Sequence, residues 1–289
     1  MAARVNELGD VVAAAVGYLA RRGIEDARVA SEWLVAERCS IPRLELPLHR
    51  AQVLSDALLD RLRDDVLRLG RGEPLQYLLG SASFRGHVFR CDPRALIPRP
   101  ETEELVQLCL DEPSLRELAA PRFADIGTGT GCIAASLVLE CPDAHCVAVD
   151  CSADALDLAR KNAAALGVSG RIEFRIGIGA AGLPAGSCDA IVSNPPYIPS
   201  GAIPGLPRNV RDHEPRLALD GGADGLDVAR DIARDAVIAL RKGGWLFFEL
   251  GEDQPRPMLD ILEDLGFDAR SAHRDLSGVE RFVKARFPG

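Results

Sequence analysis

Four consecutive residues, Asn194-Pro195-Pro196-Tyr197, close the apolar stretch CDAIVSN and bring an amide, two prolines and a phenol to one point in the chain. Proline has no N–H to give a sheet ladder, so it ends a strand and keeps the local carbonyls out of regular pairing. This combination suits one kind of chemistry. An NH2 group on a planar sp2 carbon is a poor nucleophile because its lone pair is delocalised. Two acceptors gripping its two hydrogens would orient the nitrogen and favour rehybridisation towards an electrophile. The Asn194 side-chain oxygen and the Pro195 backbone carbonyl can be those acceptors, with Pro196 stiffening the turn and the Tyr197 ring packing against the planar group. Catalysis of this kind is positioning plus directed hydrogen bonds. It needs no strong base, since the nitrogen becomes acidic as its new bond forms. The alternative is a proline-terminated strand with no chemistry.

A second constellation lies upstream. Asp125-Ile126-Gly127-Thr128-Gly129-Thr130-Gly131 falls between a strand-like and a helix-like segment, and Asp150 ends the next strand 19 positions beyond Gly131. Glycine lets the backbone turn sharply and lets a ligand approach without meeting a β-carbon, while a carboxylate at the following strand end can accept both hydroxyls of a ribose. A nucleoside-containing cofactor is therefore expected across these strand ends. A dinucleotide site prefers GxGxxG and receives a pyrophosphate. Here the spacing is GxGxG with Asp125 just before it, and a carboxylate suits a cationic sulfonium and an α-amino group better than a pyrophosphate. S-adenosylmethionine is favoured over NAD. In a parallel sheet ligands bind beyond the carboxyl ends of the strands, so Asn194 is expected to face the same crevice as the Gly127–Gly131 loop.

The elements that must position these groups follow from the pattern. From about residue 119 strands and helices alternate: RFADI, GCIAASLVLE, HCVAVD, ADALDLARKNAAAL, RIEFRI and CDAIVSN, which predicts an α/β fold with a mostly parallel sheet. A proline-rich connection over 198–224 is long enough to be functional. LDVARDIARDAVIALRKGG then predicts a helix, WLFFELG a strand, PMLDILEDLGF a helix, and ERFVKARF a final strand pairing antiparallel. Residues 1–75 show only helical spacing, with Gly23 as a stop, and predict a small helical domain. Residues 76–98 alternate about Gly86 and predict a β-hairpin connector; Thr102 is placed to cap the helix that follows, leaving 99–289 as the main domain.

Composition narrows the classes. The chain has 289 residues, 47% hydrophobic and 27% charged, and no apolar run near the length of a membrane span. VVAAAVGYLARR is preceded by Glu7 and Asp10 and reads as an amphipathic helix rather than a secretory signal. A net charge of −9 argues against a protein built to embrace nucleic acid, although Arg85, His87, Arg90, Arg94 and Arg99 form a local basic concentration. Eight cysteines without a CxxC pair read as reduced thiols of a cytoplasmic protein, and Cys141, His145, Cys146 and Cys151 are expected to point apart rather than hold a metal. No long exposed apolar stripe is evident, and a monomer is expected.

The glycine loop resembles the first motif of Rossmann-like class I methyltransferases. Together GEPLQYLLG (72–80), LIPRPETEELV (96–106), DIGTGTGCIA (125–134), NPPYI (194–198), HEPRLALDGGADGLDVARDI (213–232) and RDLSGVERFVKAR (274–286) resemble the HemK/PrmC family of N5-glutamine methyltransferases. NPPY alone is shared with adenine-N6 DNA methyltransferases; the other motifs are far more specific. The resemblance implies a Rossmann-like class I methyltransferase domain behind a helical N-terminal domain that engages the substrate. It implies S-adenosylmethionine as methyl donor, and as acceptor the glutamine of a Gly-Gly-Gln loop in class 1 peptide chain release factors. It places Gly127–Gly131, Asp150 and Asn194 at the donor and Asn194–Tyr197 at the glutamine. Arg99 and Glu101 lie in a family motif and are expected to fix the turn by a salt bridge. One departure stands out: the family carries an acidic residue near the adenine, whereas RIGIGAAGLP has Ile178 and Gly179 there. Competing readings are a glutamine methyltransferase of a ribosomal protein, an adenine-N6 nucleic-acid methyltransferase, an inactive binding homologue and a nicotinamide oxidoreductase.

Overall fold

The computed structural model describes residues 6–289 and divides into two units, one running to Gly80 and taking in Pro207–His213, the other holding Ser81–Leu206 and Glu214–Gly289. The first unit is helical. Its helices are Leu8–Arg21, Ala27–Cys39, Asp56–Leu69 and Leu75–Leu79, with a 3-10 segment at Arg43–His49. Gly23, with φ +78°, stops the first helix, and the Ser55 hydroxyl accepts from the Leu58 N–H at the start of the third. Apolar residues at helical spacing, among them Leu8, Leu19, Leu34, Val35 and Leu62, make its core.

A buried ion pair sits inside this bundle. Arg38 Nε donates to Asp65 Oδ2 at 2.7 Å and its Nη2 to the Leu78 carbonyl at 2.6 Å, linking the second helix to the third and fourth. Neither charge can be stranded without cost.

The second unit is α/β. Its hairpin is β1 (Ser81–Phe84) and β2 (His87–Arg90). Arg85 and Gly86 both have positive φ, +47° and +76°, which gives the connection the twist that two-residue hairpin turns require. Phe84 and Phe89 meet edge to face at 6.0 Å in the core, and the Arg85 side chain binds Glu140, Gln107 and the Glu103 carbonyl. The hairpin is thus built into this unit's core.

The main strands are β3 (Arg122–Ile126), β4 (His145–Asp150), β5 (Ile172–Ile176), β6 (Cys188–Ser193), β7 (Leu240–Glu249), β8 (Asp268–Arg274) and β9 (Glu280–Arg286). Their order is β5-β4-β3-β6-β7-β9-β8, parallel from β5 to β7 and antiparallel at β9 and β8. Both faces are covered. On one side Trp245 and Phe247 of β7 pack with the helices Pro100–Leu110 and Cys132–Glu140; on the other Leu246 and Phe248 pack with Asp227–Ala239 and Pro255–Asp264. Continuous apolar strands are what such double burial demands.

Two details differ from the pattern read in the sequence. Edge strand β8 is a seventh strand that DARSAHR does not announce, being polar and irregular, with a register break around Ala269 at φ +47°. Thr102 is not a cap: Arg99 occupies that position, Pro100 opens the helix, and Thr102 turns its hydroxyl inward.

Replacing Arg38 by Met is expected to lower stability by about 3 kcal/mol, the lower end for a broken buried pair, because Arg68 stands 3.7 Å from Asp65. The midpoint of urea unfolding checks this.

Candidate active site

Strand β3 runs into the glycine loop. Its last acid, Asp125, lies fully buried beneath the loop, where Oδ2 accepts from the Thr128 hydroxyl at 2.6 Å and the Ala134 N–H at 3.0 Å. One carboxylate oxygen thereby fastens the loop to the first turn of the following helix. Oδ1 has no hydrogen-bond partner, and burial pushes the carboxyl up to about 7. Gly127 and Thr128 both donate to the Val149 carbonyl, which brings the loop against the end of β4.

The loop's glycines are required by geometry. Gly127, Gly129 and Gly131 have φ of +76°, +54° and +80°. A β-carbon on Gly131 would stand 3.0 Å from that of Ala159, so this glycine serves helix packing, whereas one on Gly127 would project into open space. At the end of β4 the Asp150 carboxylate accepts from the Gly129 N–H and the Ser152 N–H, both at 2.9 Å. Each oxygen keeps a lone pair for a further donor.

These groups wall a cleft of about 510 Å³. Gly127, Thr128, Gly129, Thr130, Asp150, Asn194, Pro195 and Pro196 line it. Asp125, Gly131 and Tyr197 do not: Asp125 and Gly131 support the loop from behind, and the Tyr197 phenol is half-buried. Burial pushes that phenol up to about 12, so it stays protonated. The expectation that Asp125 meets a ligand directly is therefore corrected to a bracing role, because the carboxylate is buried beneath the loop, outside the cleft lining, with Oδ2 taken by the Thr128 hydroxyl and the Ala134 N–H.

The tip of β6 is held from three sides. The Ser193 hydroxyl donates to the Ile126 carbonyl at 2.6 Å, joining it to β3. Asn194 Nδ2 donates to the Thr102 hydroxyl at 3.0 Å, and that hydroxyl donates to Glu249 Oε2 at 2.7 Å. The third support is the segment 219–225. Ile198 and Gly221 exchange strand-like bonds with Leu219 and Ile198, and Gln254 Nε2 donates to the carbonyls of Tyr197 and Asp224. A β-carbon on Gly221 would lie 2.6 Å from the Pro196 oxygen and one on Gly225 2.2 Å from the Tyr197 oxygen. Only glycine permits that approach.

Arg99 does make a salt bridge, but to Glu214 at 2.5 Å rather than within its own turn, and Glu214 also accepts from the Ile97 N–H. The two cleft-lining segments around Ile97 and Pro215 are thereby clasped together. Ile178 lines the rim with 76% of its surface exposed. The nearby acid, Asp235, accepts from the Ala180 N–H at 3.1 Å, and a β-carbon on Gly179 would meet its Oδ2 at 2.7 Å, so it holds the turn from behind. Sequence reasoning passed over Thr102 as a contact of Asn194, and passed over Glu249 and Gln254 altogether, because their partners are remote in the chain.

The fit to an adenosyl sulfonium ligand rests on the open space above Gly127, the free lone pairs of Asp150 and the size of the cleft, which falls in the range of cofactor sites. The sheet order and this cleft define a Rossmann-like methyltransferase. Its fold matches the hMettl16 catalytic domain, solved in complex with the MAT2A 3′UTR hairpin 6, with a TM-score of 0.56 at 17% identity, over 81% of this chain and 82% of that one. It also matches a methyltransferase from Pyrococcus furiosus with a TM-score of 0.50 at 17% identity, over 70% and 88%.

Residues 10–80 match the family described as PrmC N-terminal domain, and residues 106–203 the methyltransferase small domain. The chain is 40% identical to the release factor glutamine methyltransferase of Cereibacter sphaeroides, over 96% of this chain and 98% of that one. Identity to its counterpart in Geobacter sulfurreducens is 40%, over 93% of each, and in Deinococcus radiodurans 38%, over 98% and 99%. The chain belongs to the family of release factor glutamine methyltransferases.

Replacing Asp150 by Ala is expected to weaken S-adenosylmethionine binding by about 10- to 100-fold, as loss of hydrogen bonds to a charged acceptor does. Calorimetric titration reads the change. Gly225→Ala, which forces a β-carbon onto the Tyr197 carbonyl, is expected to cut turnover by about 100-fold through displacement of the β6 tip. Steady-state kinetics at saturating donor checks it.

Proposed function

We propose that this chain methylates the side-chain amide nitrogen of the glutamine in the Gly-Gly-Gln motif of class 1 peptide chain release factors, using S-adenosylmethionine. The observation that carries the reading is the tip of β6: Asn194 gives its NH2 to Thr102 and so turns its oxygen outward, beside the cleft-lining Pro195. Bound in the cleft, S-adenosylmethionine supplies a methyl group on a sulfonium, an electrophile with a thioether as leaving group.

The chain's residues do the rest. Asp150 would hold the ribose hydroxyls, and the Gly127–Thr130 backbone, braced by Asp125, would receive the amino-acid portion. Ile178 would offer the adenine an apolar edge in place of a carboxylate. Asn194 Oδ1 accepts one hydrogen of the glutamine NH2 and the Pro195 carbonyl accepts the other. Held this way, the nitrogen loses conjugation with its carbonyl and its lone pair points at the methyl carbon. On transfer the methyl group would pass to that nitrogen as the thioether leaves, and the nitrogen's proton would pass to water. Pro196 stiffens the turn. Tyr197 fixes the far side of the tip through its carbonyl, which accepts from Gln254.

The helical unit engages the release factor. Its exposed Trp33, Leu44 and Leu48 supply apolar contacts for a protein partner. On this reading the enzyme works as a monomer in the cytoplasm and takes no nucleic acid as substrate. All eight cysteines are free thiols and the net charge is −9, which suit a reducing compartment and a protein partner. Among the described residues no helix is long and apolar enough to cross a membrane.

The test is transfer of a labelled methyl group from S-adenosylmethionine to a purified release factor, with the Gly-Gly-Gln glutamine replaced in one control and a ribosomal-protein fraction and duplex DNA in two others. Label on the intact factor alone is expected; label on any control instead would overturn the reading. Asn194→Ala is expected to lower turnover at least about 100-fold while leaving donor affinity within a few-fold. Near-normal turnover would remove Asn194 from the mechanism.

A further inference from the structure

The hydrogen bonds behind Asn194 have a direction, and that direction decides which atom of the amide faces the cleft. Glu249, Thr102 and Asn194 form a chain of three side chains, the first two buried. An ionised carboxylate can only accept, and a hydroxyl has a single proton. With Glu249 ionised, the Thr102 proton must go to Oε2. The Thr102 oxygen is then left with lone pairs only and can bind Asn194 solely through its NH2.

A flipped Asn194 would set its carbonyl oxygen against the lone pairs of Thr102 and turn its NH2 towards the substrate. That amide could not accept from a glutamine NH2. With Glu249 protonated the constraint disappears: the acid proton goes to the Thr102 oxygen, the Thr102 proton becomes free for Asn194 Oδ1, and the flipped amide is satisfied. Both arrangements fill every bond in the chain, and only the first presents an acceptor.

We propose that Glu249 and Thr102 are positioning residues that set the polarity of the Asn194 amide, so that the charge on Glu249, relayed by one hydroxyl, keeps Oδ1 facing the acceptor nitrogen. The proposal rests on the reading of Asn194 as an acceptor for the substrate amide. Glu249 lies outside the cleft lining and acts through Thr102, which stands at the cleft wall and passes its bond on to Asn194.

The surroundings of Glu249 place its ionisation in a useful range. Burial pushes the carboxyl up to about 7. The Thr102 bond and the positive charges of Arg281, from β9, and Arg99, at the start of the helix Pro100–Leu110, pull it down, and Glu101 on that helix pushes it up. The phenol of Tyr197, which feels the Glu249 charge, remains neutral. Arg281 is itself tied to Asp275 at 3.0 Å, which limits its pull. Since the active form is the ionised one, turnover should fall as pH drops through about 7.

The test reads Asn194 directly as well as turnover. In isotope-labelled protein the Asn194 side-chain NH2 resonances, assigned by their loss in Asn194→Ala, should titrate with an apparent pKa near 7 in the native chain. They should be flat in Glu249→Gln and Thr102→Val. In transfer to a release factor, Thr102→Val should lower kcat by about 10- to 100-fold with the KM for S-adenosylmethionine within about threefold, and lose the acidic limb of the pH profile. Thr102→Ser, which keeps the hydroxyl, should recover most of the turnover and the limb. Retained donor binding and an unchanged circular dichroism spectrum show each variant folded; should Thr102→Val fail to fold, Glu249→Gln and Thr102→Ser decide. Asn194 resonances that do not titrate, or titrate alike in Glu249→Gln and the native chain, would overturn the proposal whatever the activity. No transfer by the native chain, with the resonances titrating as expected, would instead overturn the functional reading and leave the polarity switch standing.

Discussion

A folded chain tends to consume its own hydrogen-bond acceptors, and the β6 tip has to keep two of them unspent. Buried carbonyls and amides are almost always paired, because an unpaired one costs about as much as a lost hydrogen bond. Two acceptors turned towards a cleft therefore need a surrounding structure that satisfies everything else. The arrangement around Asn194 does this one group at a time. Ser193 goes to Ile126, the Asn194 NH2 to Thr102, the Tyr197 carbonyl to Gln254, and Ile198 to the 219–221 segment. The two prolines have no N–H to satisfy. On the proposed function, what remains for a substrate are the Asn194 oxygen and the Pro195 carbonyl.

The same constraint explains why distant segments meet here. Gly221 and Gly225 come within contact of the Pro196 and Tyr197 oxygens, closer than any β-carbon could, which lets one loop clamp the backbone without offering a side chain to compete for the site. Arg99 and Glu214 join the two segments that wall the cleft, and the largely buried acid takes both the guanidinium and the Ile97 N–H. Such a clasp fixes the wall while leaving the floor to the glycine loop. Asp125 performs the comparable service below that loop, holding a turn of three left-handed glycines to the helix that follows.

Local chemistry was legible in the sequence, and long-range chemistry was not. The glycine loop and Asp150 could be read because strand, turn, helix and acid follow each other in order, so that topology alone brings them together. The place of Asn194, Pro195 and Pro196 at the cleft could be read because a proline pair has few uses at the end of an apolar strand, whereas Tyr197 does not line it. Thr102 was misread as a cap because a threonine just after a proline fits that pattern; its true partner, Glu249, is 147 residues away on β7. Glu249 itself sits in WLFFELG, where a charge at the end of a buried strand gives no hint of what it faces. Edge strand β8 escaped for another reason, since an irregular polar edge carries little of the alternation that marks a strand.

Buried acids are costly, and two of those close to this cleft, Asp125 and Glu249, are each pushed up to about 7 by burial. Their settings differ in a way that bears on function. Asp125 accepts from a loop hydroxyl and from a backbone N–H of the helix that follows, so its bonds shape the loop. Glu249 accepts from a hydroxyl whose other partner is the amide at the strand tip, so its bond is passed on. A neutral residue of the same shape could fill the space at either position. Only at Glu249 does the charge carry information beyond its own contacts, because a hydroxyl with one proton must point that proton one way, and the amide beyond it has no choice but to answer.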